Sequence, residues 1–193
     1  MLRRHALLVL SMIFIFIFLA ADFGYSFDAL LLEQFKATKR CESCDLSFAI
    51  LKGGRNLSGA DLTGANLTGA DLRGANLSNA SLGNAKLTGA KLNSANLSGA
   101  DMSGANLSNA KLTGVDFTTA NLTRANLTGA DLTMASLSNA NLTGADLTNA
   151  DLTQANLTIA NLTDANLTGA DLGMATWTDR IQCKPGSIGV CNK

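Results

Sequence analysis

The chain has 193 residues and equal numbers of basic and acidic side chains, so its formal net charge at neutral pH is zero. That balance gives no electrostatic reason to expect binding to nucleic acid or to an anionic membrane surface. Aromatic residues make up only 5% of the chain, which argues against a conventional mixed core.

The N-terminus is typical of a secretory signal peptide. A basic start at residues 3–5 precedes an apolar run at residues 6–21, interrupted only by Ser11. This run is shorter than the ~20 residues needed to span a bilayer, although retention as a membrane anchor is the alternative. We therefore predict a signal peptide at residues 1–26 and a periplasmic or secreted bacterial protein without stable membrane insertion after cleavage.

The cleavage site is predicted from small residues. A cut after Ser26 would leave Gly24 and Ser26 at the small-residue positions, and cuts after Ala20 or Ala21 are alternatives. The mature chain is therefore expected to begin between residues 21 and 27.

Residues 27–54 are predicted to form an N-terminal cap with a first irregular coil. Asp28 to Lys39 is a candidate capping helix. Leu46 and Leu51 are spaced like two early repeat centres, whereas the next centre follows after six residues. The pair Gly53-Gly54 is therefore predicted to carry a one-residue insertion as a bulge.

Residues 55–177 consist of a five-residue repeat. Each unit reads Ala, then Asn or Asp, then Leu, then Thr or Ser, then often Gly, and 24 centres run from Leu57 to Leu172. Only Met102 and Phe117 replace Leu at a centre. Such a fixed period is typical of repeat architectures.

A period of five fits neither an α-helix nor a straight strand, because successive Leu side chains would not share one side of the element. It fits a chain that turns one corner every five residues and closes a coil of 20. Leu and the preceding Ala then point inward, while the residues beside Leu point outward. Coils would stack at about 4.8 Å, with Trp177 closing the last one.

Residues 178–193 are predicted to be a C-terminal tail held by a disulfide. The four cysteines form two close pairs, Cys41 with Cys44 and Cys183 with Cys191. In an oxidising compartment the natural interpretation is one structural disulfide at each end. Redox activity or half of a zinc site at Cys41 and Cys44 are the alternatives.

The A-[DN]-L-x-x pattern resembles the pentapeptide-repeat family over about 120 residues. The segment from Thr38 to Leu46, with Cys41 and Cys44, is similar to the entry segment of exported bacterial members. The resemblance implies an all-β fold, a right-handed quadrilateral β-helix with a short N-terminal capping helix. It implies no single activity.

Catalysis is not expected. The only His, His5, lies in the signal segment, and no Ser/His/Asp or Cys/His set can be assembled. We expect no cofactor and no metal. The outward Asp residues of the repeat are predicted to be solvated.

Residues 20 apart should stack into outward rows. One row carries mostly Asn, another carries only Thr or Ser after Leu, and a third ends in Asp131, Asp151 and Asp171. We interpret these three Asp as a possible strip for a cation or a basic partner, the alternative being simply solvated positions.

The leading functional interpretation is a non-enzymatic exported scaffold that presents flat polar faces to an unknown protein partner. Open coil ends also allow end-to-end self-association. One alternative is a DNA mimic that binds a topoisomerase, an activity that the resemblance implies. Residues 56–175 hold nine Asp against five Lys or Arg, and the resulting net charge of −4 is weak for imitating a phosphate backbone. Ice binding through the Thr rows is the other.

Overall fold

The computed structural model describes residues 27–193, so the predicted signal peptide and its cleavage site lie outside the described residues. The chain divides between Thr38 and Lys39. Helix α1, Phe27–Thr38, comes before this division and spans nearly the predicted segment. Within α1, Phe35 is buried and the Thr38 hydroxyl donates to the Gln34 carbonyl at 2.9 Å.

The chain from Lys39 onward is a stack of coils joined by parallel β-bridges. From Asn56 to Asn156 each bridged residue pairs with the residue 20 positions later, and a bridge recurs every five residues. At a typical bridge, Leu77 donates its backbone N–H to the Asn96 carbonyl at 2.7 Å, and Asn96 donates to the Ala75 carbonyl at 2.9 Å. One coil therefore contains four repeats, as the sequence predicts.

A tight turn follows each bridge of the regular coils. The Leu57 carbonyl accepts the Ala60 N–H at 3.0 Å, and Gly59 between them has φ +65°. A positive φ at the third turn residue is the mark of a type II β-turn, which favours Gly or Asn there. Asn occupies the same turn position at Asn79, with φ +56°.

The core is a set of Leu columns separated by Ala. In the inner coils these side chains are at most 1% exposed, and Met102 and Phe117 occupy Leu positions at 0%. The column predicted from Leu62 through Met102 is buried down to Leu142, but its last member, Leu162, is only half-buried. Leu162 is less buried than the other members of this column because, among the described residues, no further coil covers that part of the end.

The first coil has a different register from the others. Its bridges, from Arg40↔Asp61 to Ile50↔Asp71, join residues 21 apart. The extra residue is accommodated where Gly53 and Gly54 have φ +85° and +69° in succession. Cys41 occupies an inward centre of this coil and is 6% exposed, a role that the pentad pattern alone did not indicate.

The C-terminal tail folds back over part of the last coil. Ile188 bridges to Asp171 and Gln182 bridges to Thr176, both in antiparallel orientation. Trp177 is half-buried and donates its backbone N–H to the Ile181 carbonyl at 2.8 Å. The tail therefore bridges to two of the four repeats in the last turn, and among the described residues Asn161 and Asn166 bridge to no later residue.

Candidate interaction faces

The outward residues immediately before the centres form four bridged rows, which we call rows A to D in chain order. Row A is Asn56, Asn76, Asn96, Asp116, Ser136, Asn156 and Thr176; row B is Arg40, Asp61, Ser81, Asp101, Asn121, Asn141 and Asn161; row C is Asp45, Asn66, Lys86, Asn106, Asn126, Asp146 and Asn166; row D is Ile50, Asp71, Lys91, Lys111, Asp131, Asp151 and Asp171.

The outward Asn and Asp side chains are held by their own backbone. In row A, the Asn96 Oδ1 accepts the Ser98 N–H at 2.9 Å, and in row D the Asp151 Oδ1 accepts the Thr153 N–H at 2.9 Å. The same bond recurs in rows B and C. This turn-like bond fixes the orientation of each side chain, so the outer surface is a regular array of polar groups.

The hydroxyl row beside row C was predicted to run unbroken from Thr68 to Thr168. The structure places these hydroxyls in line, but several have partners within the protein. Thr148 Oγ1 donates to Asp146 Oδ1 at 2.5 Å, and it also accepts from Asn166 Nδ2 at 2.8 Å. Ice binding through this row stays a prediction, and it would use hydroxyls whose hydrogen bonds are partly satisfied.

The charge of the row D side chains changes along the stack. Asp71 accepts two bonds from Arg73, from Nε at 2.8 Å and from Nη2 at 2.7 Å. These side-chain bonds lower the pKa of the Asp71 carboxyl to about 2. Lys91 and Lys111 follow, so this part of the row is basic.

Asp131, Asp151 and Asp171 bridge consecutively at the C-terminal end of row D, as the 20-residue coil predicts. Burial raises the pKa of Asp131, but hydrogen bonds from Thr133 and Thr113 outweigh burial and hold that pKa below its ordinary value. The Thr113 hydroxyl is 2.8 Å from Asp131 Oδ2. The three carboxylates form an acidic strip whose role as a contact for a basic partner or a cation stays a prediction.

Both cysteine pairs lie at disulfide-bonding distance, as their spacing predicts. The Cα–Cα distances are 5.4 Å for Cys41 and Cys44 and 5.0 Å for Cys183 and Cys191. Cys41 and Cys183 are buried. One pair lies in the first coil and the other within the folded-back tail, and the structural role of both stays a prediction.

Within residues 27–193, no three His, Cys, Asp or Glu side chains come close enough to hold a metal ion. In the same part of the chain, no helix is long and apolar enough to cross a bilayer. The only buried polar residue in this region is Ser187, whose hydroxyl donates to the Lys184 carbonyl at 2.8 Å. Apart from Ser187 and the Arg55 Nε, which is buried without a hydrogen-bond partner among the described residues, the polar side-chain groups of the solenoid lie on its surface.

These features define a β-helical repeat protein with an aliphatic core and ordered polar outer rows. The family model for pentapeptide repeats matches eight copies, in the segments 40–79, 56–93, 80–118 and 120–158, which together cover more than half of the chain. The chain therefore belongs to the pentapeptide-repeat family, whose fold is a right-handed β-helix. No significant match to a curated protein was found.

Several solved structures are similar to this chain. HetL, a pentapeptide repeat protein involved in heterocyst differentiation regulation in the cyanobacterium Nostoc sp. strain PCC 7120, is 27% identical with a TM-score of 0.37, over 79% of this chain and 97% of that one. A pentapeptide repeat protein from the Arabidopsis thaliana thylakoid lumen is 30% identical with a TM-score of 0.36, over 64% of this chain and 84% of that one. QnrB1, a plasmid-mediated fluoroquinolone resistance protein, is 20% identical with a TM-score of 0.47, over 70% of this chain and 71% of that one.

Proposed function

We propose that this protein is a non-enzymatic, exported scaffold that binds a protein partner through its ordered polar rows. The observation that carries the proposal is the recurring hydrogen bond that each outward Asn or Asp accepts from the backbone N–H two residues on, as at Asn96 and Asp151. Side chains already fixed in one orientation lose little conformational entropy when a partner binds. A flat, preorganised surface therefore suits recognition better than chemistry.

A four-sided coil and a capping role for α1 belong to the same proposal. The bridge that recurs every five residues, with a turn between successive bridges, supports one flat side for each of rows A to D. On this proposal each row is one face of the solenoid.

Export is supported by two independent features. The basic start and apolar run at residues 3–21 are those of a secretory signal peptide. Two cysteine pairs at disulfide-bonding distance, with no free cysteine among the described residues, suit an oxidising compartment. We therefore place the partner in the periplasm or outside the cell.

The partner is expected to contact one or two faces only, because the rows differ in chemistry. Row A is almost entirely neutral, whereas row D changes from basic to acidic along the stack. A partner that contacts row D would carry basic groups opposite Asp131, Asp151 and Asp171. A partner for row A would bind through amide and hydroxyl groups.

Photo-crosslinking in living cells tests the proposal. The photoreactive residue p-benzoylphenylalanine would replace one outward Thr per row, namely Thr158, Thr143, Thr128 and Thr133 for rows A to D. We expect the same partner to be captured from one row or from two adjacent rows, with the other rows as matched controls. Equal capture of many proteins from all four rows, or none from any row, would contradict a specific scaffold.

A further inference from the structure

Row D has an apolar residue at each end and charged residues between them. The tail extends this row by one member, because Ile188 bridges to Asp171. In order along the stack, the extended row is Ile50, Asp71, Lys91, Lys111, Asp131, Asp151, Asp171 and Ile188. At the ordinary strand spacing these residues span about 34 Å. Ile50 and Ile188 therefore lie equally far from the midpoint of the row, which falls between Lys111 and Asp131.

Exposed apolar side chains lie at both ends of row D. At the first end Phe48 and Ile50 are 74% and 63% exposed, and at the last end Ile188 and Val190 are 53% and 60% exposed. The tail runs antiparallel to the coil that it bridges, so Val190 lies on the row C side of its end, as Phe48 does at the other end. Apolar side chains clustered on a polar surface mark an interaction site.

The charges between these apolar ends are complementary when the row is reversed. The first half carries Lys91 and Lys111, and the second half carries only Asp. Among residues 27–193, neither Lys91 nor Lys111 forms an ion pair. The remaining charge of the first half, Asp71, is already paired with Arg73 through two hydrogen bonds. Each half of row D therefore carries the charge that the other half of a second molecule requires.

We propose that row D, with Ile188, binds the same row of a second copy of this protein, with the two stacks side by side and antiparallel. The proposal rests on the flat side assigned to row D above. A two-fold axis lies in the contact plane, perpendicular to the stacks, midway between Lys111 and Asp131. It places Lys111 opposite Asp131, twice per dimer. It also places Lys91 opposite Asp151, again twice. Such an interface is isologous and closed, so it ends at a dimer.

The same axis brings the other features of this side together. Ile50 of each copy meets Ile188 of the other, and Phe48 meets Val190, so the exposed apolar side chains cover each other at both ends. In the turns that follow row D, the axis sets each large side chain of the acidic half opposite a small residue of the basic half. The pairs are Met134 with Gly114, Gln154 with Ser94 and Met174 with Gly74.

Charge selects the antiparallel arrangement over the parallel one. In a parallel contact every row D residue would face its own copy, so that Lys would oppose Lys and Asp would oppose Asp along the row. In the antiparallel contact the one opposition of like charges is between Asp71 and Asp171, where Arg73 already neutralises Asp71. The contact is one row wide, so a weak dimer that salt dissociates is expected.

The reciprocal charge pair can be tested by reversal. Lys91→Asp and Asp151→Lys each reverse one member of the same contact, at positions that are exposed in the single chain. Row D already accommodates both residue types, so neither change introduces a new kind of side chain there. Lys86→Asp is the matched control, because it reverses the charge of an exposed Lys one repeat earlier, in row C.

Sedimentation equilibrium at low ionic strength would be run on protein purified in the form in which cells accumulate it. We expect a dimer for the natural sequence and for Lys86→Asp. Association should be weaker by about tenfold or more for Lys91→Asp and for Asp151→Lys, since each change turns two attractions into repulsions. An equimolar mixture of these two variants should restore the dimer as a heterodimer, because both contacts then pair opposite charges.

Carbodiimide coupling, which joins an amine directly to a carboxylate, locates the contact. Lys91 and Asp151 of one chain are three coils apart, about 14 Å, so a crosslink between them reports a contact between two copies. Mass spectrometry should find this crosslink in the natural dimer and not in protein dissociated by salt.

Three outcomes would overturn the inference. A natural protein that is monomeric at every concentration shows that row D binds no second copy. A dimer that survives both single reversals shows that the copies associate through another surface. Failure of the mixture to re-form the dimer shows that Lys91 and Asp151 do not face each other. None of these results bears on capture of a different protein by rows A to C, so the scaffold proposal stands or falls separately.

Discussion

Replacing Phe117 with Asp probes the inside-and-outside assignment of the repeat most directly. Phe117 occupies a Leu position in the column between Leu97 and Leu137, and its side chain is fully buried. Its neighbour Thr118 points outward, where its hydroxyl lies 3.1 Å from that of Ser136. Two adjacent residues therefore experience opposite environments, and the same substitution at each should have very different effects.

The magnitude follows from the burial of Phe117. Removing a buried Phe side chain costs about 3–5 kcal/mol of unfolding free energy. A buried carboxyl group without a donor adds about 1–3 kcal/mol, even if it takes up a proton there, because burial raises its pKa. Phe117→Asp is therefore expected to cost roughly 4–8 kcal/mol. Phe117→Leu, which restores the commonest residue, should cost less than about 1.5 kcal/mol.

Urea denaturation followed by circular dichroism measures these differences, and hydrogen exchange locates them. Thr118→Asp is the control, and it should cost about 1 kcal/mol or less, mainly through repulsion by the nearby Asp116. Slow exchange should be lost first in the coils around Phe117. Equal destabilisation by the two Asp substitutions would show that the centre residue does not point inward.

Three further predictions concern the turns, row D and the ends. Thr119→Gly should stabilise the protein by about 1 kcal/mol in thermal unfolding, because a β-branched residue at φ +60° is strained. Gly99→Ala at the equivalent turn one coil earlier should destabilise it, because a Cβ at φ +66° is strained. Stabilisation by both changes would contradict this. Because the pKa of Asp71 is low, the contribution of its carboxylate to stability is present above about pH 4, the ordinary Asp pKa, and is lost as the pH falls toward about 2. Arg73→Met should return the Asp71 pKa toward its ordinary value, which NMR of the carboxyl carbon measures. Reduction of both disulfides should increase hydrogen exchange in the first coil and in the tail. The middle coils should stay protected, because each coil is held by its neighbours. Global unfolding on reduction, or catalysed reduction of insulin by the native protein, would contradict a purely structural role.

The regular part of the fold could be predicted from the sequence because every repeat indicates the same inward and outward positions. Inward Leu and Ala, outward Asn and Asp and a 20-residue coil all follow from one period, and the bridges show that coil throughout residues 56–176. The one-residue insertion at Gly53-Gly54 was also predictable, because it changes the spacing between two Leu centres. In such regions local and global preferences coincide.

The ends could not be predicted in the same way. Cys41 lies five residues before Leu46, so its burial at an inward centre follows the repeat spacing, but a Cys in place of Leu hid that signal. The antiparallel return of the tail, and the partial exposure of Leu162, depend on where the chain folds back after Thr176. The identical pentad pattern continues through Leu162 and Leu167, so only the structure distinguishes covered repeats from uncovered ones.

The 20-residue coil also constrains how the length of this protein can change. Removal of 20 consecutive residues within 56–160 would shorten the stack by one coil and leave every remaining row on its own side. Removal of five residues would preserve the sequence pattern of the core equally well, yet every later outward residue would move by a quarter turn, and row D residues beyond the deletion would continue row C. Gain and loss of whole coils is therefore the route by which such a protein can grow or shrink in evolution while keeping a binding surface intact, and a length change of one pentad is a route to a new surface on an unchanged core.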